Sequence, residues 1–381
     1  MLGKLAGEAN RMLPRSVPHP DPVGVAQAEP TATDQAAQPA ASVAPVPVAH
    51  FERRAMGSPL RLTLVGIEPD RARSAWEATS RLIETIEQAL SRFRESSDLM
   101  ALNARAGDPL ARPVAPFLHS AIAAAHRAWR VTDGAFDPRI LRDLERLGYV
   151  GAELPKGGAL VPVPGSFPPG DWLVRSPQDR RVAISRPLDL GGIGKGLALR
   201  WTLAALARLL PEIDQPKPAG EEFDASARTA PVFGAGALLE AGGDIIARGA
   251  APDPGPWLIG IEHPLTEREV AIVAVEAGAI CTSSIAVHRW SNLDGRVVHH
   301  LVDPRTGGPG GEGLLSVTVA GPDPAWAEVW SKTLFLSGGR GIGAKARTLG
   351  FAAWWVRDTG ELEMTPGARM QTAWLADDDA R

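Results

Sequence analysis

The sequence contains only one cysteine among its 381 residues and no long apolar run. A single cysteine excludes a disulfide framework, or a zinc site made of cysteine ligands, within one chain. We therefore interpret Cys281 as a small buried residue at the end of a strand, which is a more common role than that of a catalytic thiol. No run of about 18 apolar residues occurs, so the sequence predicts no transmembrane helix.

The chain also lacks a strong excess of charge of either sign. Its formal net charge is −4, and no run of basic residues is present, which argues against a nucleic-acid-binding surface. Hydrophobic residues make up 44% of the chain and charged residues 22%, as is typical of a soluble globular protein. The length allows one large domain or two smaller ones.

The two ends of the chain lack the periodicity of helices and strands. Residues 1–50 are rich in alanine and proline, and we predict a disordered tail there. Lys4 and Arg11 are not followed by an apolar segment, so no signal peptide is predicted. We expect a cytoplasmic location, unless an earlier start codon encodes an export signal. The expected folded domain spans residues 51–370, with a flexible insertion at about 211–231 and a C-terminal tail at 371–381.

Two polar stretches have the composition of anion sites. Leu188–Gly196, LDLGGIGKG, combines four glycines and a lysine, and a predicted helix follows it. A glycine turn at a helix N-terminus suits anion binding, although the pattern is neither GxxxxGK[ST] nor GxGxxG. Cys281–Pro309 carries hydroxyls, imidazoles, an arginine and a carboxylate between glycine turns, as polyphosphate recognition requires. By themselves, the first stretch also fits a tight strand-to-helix corner, and the second also fits two hairpin loops.

The order of the short motifs along the chain is more informative than any one of them. They are MGS, SDLMALN, GAFDP, LDLGGIGKG, EAGGD, TSS, HHLVDPRTGGP, SVTV and AEVWSKTLFLSG. The series resembles the ApbE family, the FAD:protein FMN transferases, over about residues 51–365. The resemblance implies an α+β protein of the ApbE-like (T-fold-like) fold, with mixed, largely antiparallel sheets and flanking helices. It also implies FAD beside a divalent metal, and transfer of FMN to a threonine of a membrane or redox partner protein, with release of AMP.

The resemblance implies where specific residues lie along FAD. The residues expected along the flavin are Met56, Gly57 and Ser58. Those expected on the diphosphate and ribityl side are Asp189, Gly192 and Lys195. Those expected around the adenine and ribose are Glu240, Gly242, Gly243 and Asp244. Those expected on the wall where the diphosphate is cleaved are Thr282, Ser283, His300, Asp303, Arg305 and Thr306. Alternatively, Lys195 only tethers its loop.

The expected catalytic residues are His300, Asp303 and Thr306. The hydroxyl of the attacking threonine has a pKa far above neutrality, so a base is needed, and His300 or Asp303 is the candidate. An alternative for His300 is an interior histidine whose hydrogen bonds are satisfied within the fold.

The resemblance implies Mg²⁺ held by the Gly194 carbonyl oxygen and the Glu328 carboxylate, and here the chain departs from the family. Family members carry aspartate and threonine, four residues apart, where this chain has Glu328 and Lys332. Glutamate can bind Mg²⁺, but a protonated lysine has no lone pair and repels a cation. Either Lys332 contacts phosphate directly and supplies the positive charge, or the metal site is shifted or lost. By spacing alone, the two residues also fit an ordinary exposed helix ion pair.

Three functional hypotheses follow. The first is the enzyme, an FAD:protein FMN transferase, with FAD hydrolysis to FMN and AMP as a variant that uses the same site. The second is a non-catalytic protein that binds and delivers FAD, which Lys332 favours. The third, a purely structural domain, fits poorly with so many polar glycine turns in family order.

Overall fold

The computed structural model describes residues 46–149, 171–214, 234–286, 288–291, 295 and 297–376, all within one compact unit that spans residues 44–381. The predicted N-terminal tail therefore lies outside the described residues, apart from its last five positions. Of the predicted insertion at about 211–231, only Pro211–Asp214 is described, and it forms a 3-10 helix. No helix in the described ranges is long and apolar enough to span a bilayer.

The strands of the described residues are, in chain order, β1 (Val48–Ala55), β2 (Ser58–Val65), β3 (Arg112–Pro113), β4 (Leu173–Ser176), β5 (Arg181–Ile184), β6 (Gly236–Ala241), β7 (Asp244–Gly249), β8 (Trp257–Glu262), β9 (Glu269–Val275), β10 (Gly278–Ser284), β11 (Arg289–Ser291), β12 (Val297–His299), β13 (Val302–Asp303), β14 (Gly308–Pro309), β15 (Leu314–Gly321), β16 (Ala352–Arg357), β17 (Leu362–Met364) and β18 (Thr372–Leu375). The α-helices are α1 (Pro69–Leu90), α2 (Asp98–Asn103), α3 (Pro116–Val131), α4 (Leu141–Arg146), α5 (Gly194–Leu209), α6 (Pro324–Phe335), α7 (Gly338–Leu349) and α8 (Pro366–Gln371).

The largest sheet has eight strands in the order β1-β2-β6-β7-β10-β15-β16-β17. Every neighbouring pair in it is antiparallel. A three-stranded antiparallel sheet, β18-β9-β8, forms a second layer. Together with the helices, this arrangement confirms the expected α+β fold with largely antiparallel sheets.

Each face of the large sheet has its own cover. Because side chains alternate along a strand, Leu60, Leu62 and Leu64 of β2 share one face, and they are buried with helices α1, α3 and α5. On the other face, Val65 of β2 and Trp354 of β16 are buried against the three-stranded sheet. The sheet therefore separates a helix side from a second-sheet side, and residue parity along a strand decides which side a side chain reaches.

Two ends of the folded domain differ from the sequence-based boundaries. Strand β1 begins at Val48 and pairs with β2 along its whole length. It was not predicted, because it is an edge strand with few apolar residues. At the other end, β18 pairs with β9. The prediction of a tail from residue 371 is therefore wrong for Thr372–Leu375.

Helix α5 agrees with the helix predicted after the glycine turn, and it begins at Gly194, inside that turn. Helix α7 was not predicted, because its sequence GGRGIGAKARTL contains four glycines, which disfavour helix. Its buried residues Ile342 and Ala346 pack in a hydrophobic cluster with Leu334 and Phe335 of α6. Tertiary packing stabilises this helix where local propensity does not.

The N-termini of α5 and α6 are in direct backbone contact. A Cβ atom added at Gly196 would lie 2.5 Å from the carbonyl oxygen of Pro324 and 2.5 Å from Cα of Ala325. No side chain larger than hydrogen fits between the two helices at this point. The contact fixes the glycine turn of residues 188–196 against the start of α6.

Candidate active site

The glycine turn before α5 forms an ordered corner at the helix N-terminus. Asp189 accepts a hydrogen bond from the amide of Gly191 at 2.7 Å through Oδ1, and the amide of Gly194 donates to the Leu190 carbonyl at 2.7 Å. The N-cap residue of α5, Ile193, has no capping side chain. The positive end of the helix dipole favours negative groups at this point.

Two lysines and two carboxylates meet at this helix start, and we call Lys195, Asp244, Glu328 and Lys332 the lysine–carboxylate cluster. Lys195 Nζ donates to Asp244 Oδ2 at 2.6 Å. Lys332 Nζ donates to Glu328 Oε1 at 3.2 Å. The other oxygen of Glu328, Oε2, accepts from the amide of Gly196 at 2.8 Å.

Burial and the neighbouring charges shift the pKa values of two members of the cluster. Burial by itself lowers the pKa of Lys195, but the Asp244 and Glu328 carboxylates outweigh burial and raise that pKa above its ordinary value. Burial raises the pKa of the Glu328 carboxyl; the charge of Lys332 opposes this rise, and the charge of Asp244 adds to it. Glu328 is fully buried, so its interpretation as half of an exposed ion pair is wrong.

Two tight turns bring further predicted residues to the same corner. Met56 and Gly57 have φ of 51° and 77° and form the two-residue loop between β1 and β2, as a type I′ turn requires. The Met56 Cε atom lies 3.9 Å from where a Cβ of Gly194 would be. Gly242, in the β6–β7 turn, lies against Ser58, and a Cβ added there would be 2.8 Å from the Ser58 hydroxyl oxygen. The neighbouring Gly243 borders open space.

Gly192 lies between an aromatic ring and the lysine–carboxylate cluster. A Cβ atom added there would be 2.8 Å from the Phe136 ring and 3.3 Å from Cδ of Lys332. The side chain of Lys332 therefore runs over the glycine turn, with its ammonium group held by Glu328.

Asp189 connects the glycine turn to a second group of residues. Its carboxylate forms a buried ion pair with Arg92, with 2.7 Å between Oδ2 and Nε. The Arg92 guanidinium also lies over the rings of Phe93 and Tyr149, at 4.2 and 4.4 Å from their centroids. A charge-neutral, aromatic wall therefore continues from the end of the glycine turn.

Tyr149, His288, Trp290 and His300 form what we call the aromatic–imidazole cluster. The ring of Tyr149 stacks on Trp290 at 5.5 Å between centroids and lies 5.6 Å from His288. The rings of His288 and His300 are 5.0 Å apart. Nδ1 of each histidine is buried and has no hydrogen-bond partner among the described residues, so the alternative in which His300 is satisfied within the fold does not hold for this atom.

The histidines of this region are kept neutral. Burial, with the charges of His288 and Lys332, lowers the pKa of His300 well below its ordinary value. Burial, with the charges of Lys195 and Arg92, lowers the pKa of His288. Lys332 lowers the pKa of His300, and Lys195 lowers the pKa of His288. The lysine–carboxylate cluster therefore acts electrostatically on the aromatic–imidazole cluster. Both imidazoles are therefore in the unprotonated form at neutral pH.

The neighbouring His299 predicts sensitivity to acid. Burial and the charge of Arg289 lower the pKa of His299 from 6.5 to about 4. The unfolded chain therefore takes up this proton below pH 6.5, whereas the folded chain takes it up only near pH 4. Stability falls as the pH drops through this window, and we expect a loss of about 3 kcal/mol from His299. The free energy of unfolding is measured by urea denaturation at pH 7.5 and at pH 4.5. Between these two pH values, His299→Gln should lose less stability than the wild type. Equal losses would show that His299 is not the source of the acid sensitivity.

The Asp303 loop has internal partners. The Asp303 carboxylate accepts from the Arg305 amide at 2.9 Å and from Arg305 Nη2 at 2.7 Å. Burial raises the pKa of Asp303, but the bonds from Arg305 outweigh it and the pKa is lowered. Thr306 Oγ1 accepts from the Gly308 amide at 3.2 Å. Asp303 is therefore a weak base, and Thr306 stabilises its own turn.

The hydroxyls of Thr282 and Ser283 are likewise engaged within the fold. Ser283 Oγ lies 2.7 Å from Ser331 Oγ of α6, and Thr282 Oγ1 lies 2.9 Å from Thr318 Oγ1 of β15. By strand alternation, the Thr282 side chain is on the second-sheet side, with Ile280. Only its amide reaches the lysine–carboxylate cluster, by donating to Asp244 Oδ1 at 3.3 Å.

The structure does not bring Glu240 to the other predicted residues. Leu239 and Ala241 face the helix side, so Glu240 between them faces the second-sheet side. There Glu240 forms an ion pair with Arg61, at 3.1 Å between Oε1 and Nη1. Glu240 therefore lies on the opposite side of the sheet from Asp244, with which it was expected around the adenine and ribose; its place along FAD stays a prediction.

Most of the other predicted residues converge on the N-terminus of α5. Those that meet there are Met56, Ser58, Asp189, Gly192, Gly194, Lys195, Gly242, Asp244, Glu328 and Lys332. Sequence reasoning missed Arg92, Tyr149 and His288 as neighbours of this site. The available signal for Arg92 was its place five residues before the start of the SDLMALN motif at Ser97.

A sequence model of the ApbE family matches residues 56–209 and 233–354, most of the chain. The chain belongs to the ApbE family.

Curated relatives and solved structures agree with this membership. The FAD:protein FMN transferase of Salmonella typhimurium is 27% identical over 342 residues, covering 85% of this chain and 87% of the relative. That of Escherichia coli K12 is 25% identical, covering 86% of this chain and 89% of the relative. An ApbE protein of Thermotoga maritima superposes with a TM-score of 0.72 at 24% identity, covering 86% of this chain and all of that one. The flavin transferase ApbE from Vibrio cholerae gives a TM-score of 0.68 at 21% identity, covering 86% of this chain and all of that one.

Proposed function

We propose that this protein is an FAD:protein FMN transferase, which moves the FMN part of FAD to a threonine of a target protein and releases AMP. The observation that carries the proposal is the convergence of a glycine turn and two lysines at one helix N-terminus, with two neutral histidines in a cluster that feels the charge of these lysines. Curated relatives that cover most of the chain carry the same activity in their names.

The residues present fit FAD on chemical grounds. The glycine turn at the N-terminus of α5 and the ammonium groups of Lys195 and Lys332 suit a diphosphate. The turn residues Met56 and Gly242 offer an apolar contact and a close backbone approach beside them. The exposed ring of Phe93, next to Arg92, offers aromatic surface to a flavin ring.

FAD supplies the diphosphate that is split. The oxygen of the target threonine bonds to the phosphorus of the FMN part. The bond from that phosphorus to the bridging oxygen breaks, and AMP leaves with the bridging oxygen. His300 accepts the proton of the threonine hydroxyl. Its imidazole is neutral, and Nδ1 has no hydrogen-bond partner among the described residues. The two negative charges of a nearby diphosphate raise a histidine pKa, so FAD binding is expected to make His300 a stronger base. Asp303, held by Arg305, is the less suitable of the two.

The Mg²⁺ that the resemblance implies does not fit the residues at its expected position. Both oxygens of Glu328 are engaged, one by the Gly196 amide and one by the Lys332 ammonium. In the described ranges, no group of three or more His, Cys, Asp or Glu side chains could hold a metal ion.

The acceptor is proposed to be a threonine-bearing protein, such as a membrane redox subunit, and the reaction is proposed to take place in the cytoplasm. The neutral imidazoles favour a catalyst over a protein that only stores FAD, because a storage site has no use for a base beside the diphosphate.

The proposal is tested by incubating the purified protein with FAD and a threonine-bearing target. We expect covalent flavin fluorescence on the target band in a denaturing gel, and none on a target whose threonine is replaced by alanine. AMP that forms equally fast without a target would indicate FAD hydrolysis instead. Bound FAD that persists without AMP, with the true target and with Mg²⁺ or Mn²⁺ added, would show a binding protein and overturn the proposal.

A further inference from the structure

Lys332 puts a fixed positive charge at the glycine turn. Its ammonium lies 3.2 Å from Glu328 Oε1, and its methylene groups pack over Gly192. Glu328 is in turn anchored to the α5 amide of Gly196. A lysine held at both its stem and its head cannot swing into solvent as a surface lysine does, so its charge remains at the start of α5.

The Lys332 ammonium therefore already supplies a positive charge at the place where an anion bound by the glycine turn would need one. A divalent metal bound by Glu328 would have to displace this ammonium and would then lie beside its charge. Lysine is a point charge with three N–H donors, of which only one is needed by Glu328. The remaining donors are available to phosphate oxygens.

We propose that the Lys332 ammonium replaces a divalent cation in this protein, so that FAD binds and its diphosphate is split without added metal. The inference rests on the proposed function in that FAD is the ligand of this site. In this role Lys332 acts as a lysine at a phosphate-binding loop does. Its ammonium neutralises negative charge on the non-bridging oxygens of the leaving AMP phosphate.

Binding and reaction distinguish this inference from the proposed function. FAD titrations followed by flavin fluorescence measure binding alone, in a chelator (EDTA) and in Mg²⁺. For the wild type we expect dissociation constants that agree within about twofold, because the cation is part of the chain. FAD binding that is lost in chelator and restored by Mg²⁺ or Mn²⁺ would overturn the inference, even if FMN transfer is observed.

Substitutions at Lys332 then identify the cation. Lys332→Met should weaken FAD binding in chelator by about 10- to 100-fold, since it removes a charge-assisted hydrogen bond. Lys332→Thr should make binding dependent on Mg²⁺, because a hydroxyl and Glu328 then offer oxygen ligands. Unchanged affinity in Lys332→Met would overturn the inference.

Two controls address folding and charge. Lys332→Met leaves Glu328 buried without its cation. The double variant Glu328→Gln/Lys332→Met removes both charges and should retain the fold, as checked by circular dichroism. Its FAD affinity in chelator should fall as much as that of Lys332→Met.

The control for net charge is Arg248→Met. It removes one positive charge from a half-exposed ion pair with Asp214, at 2.7 Å, on the strand that carries Asp244. It should leave FAD affinity unchanged; a loss equal to that of Lys332→Met would show a general effect of net charge and overturn the inference.

Discussion

His300→Ala is expected to lower the rate of FMN transfer by about 10²- to 10⁴-fold, the usual contribution of a positioned general base. The reason is that Nδ1 of His300 is buried without a partner and its ring is neutral, beside the lysine–carboxylate cluster. FAD affinity should change little, because Lys195 and Lys332 remain. The rate is measured as covalent FMN on the target, with FAD saturating.

The neighbouring histidine provides a matched control for this prediction. The His299 ring packs edge-on against Phe335, 6.0 Å between centroids, away from the aromatic–imidazole cluster. His299→Gln should retain transfer within about twofold at pH 7.5, where its pKa shift has no effect on stability. Full activity in His300→Ala would contradict the assignment of His300 as the base and would leave Asp303 as the candidate.

Gly196→Ala is expected to lower the free energy of unfolding by about 3 kcal/mol, the upper part of the range for overpacking. The added methyl group would meet the backbone of Pro324 and Ala325 at 2.5 Å. Backbone cannot rotate away as a side chain can, so α5 and α6 must separate. The same shift moves the Gly196 amide from Glu328, so FAD binding should weaken as well. Urea denaturation and FAD titration measure the two effects.

Gly321→Ala is the matched control for this substitution. A Cβ atom added at Gly321, at the end of β15, meets no atom within 4 Å. The change in stability should therefore be less than about 1 kcal/mol. Equal unfolding midpoints for the two variants would contradict the tight contact between α5 and α6.

Local pattern was sufficient for much of the fold. Strand β2 follows from the alternation of Leu60, Leu62 and Leu64, and the helix after the glycine turn follows from its apolar residues. Strand β1 is an edge strand whose Glu52, Arg53 and Arg54 conceal its pairing. Its position depends on a partner strand, which periodicity does not reveal.

The candidate site was predictable in its parts rather than in its arrangement. The glycine turn and its lysine stand out in the sequence, whereas the ion pair between Arg92 and Asp189 joins residues that are far apart in the chain. The side of Glu240 could have been derived, because it alternates with the apolar residues Leu239 and Ala241. The roles assigned to the individual site residues stay predictions until they are tested by substitution.

The most direct test of the central claim is the molar ratio of AMP to covalent FMN in one reaction of the wild-type protein with FAD and a threonine-bearing target. Transfer predicts one AMP released for each FMN attached, in chelator as in Mg²⁺. AMP released without covalent flavin, or neither product at saturating FAD, would contradict the account.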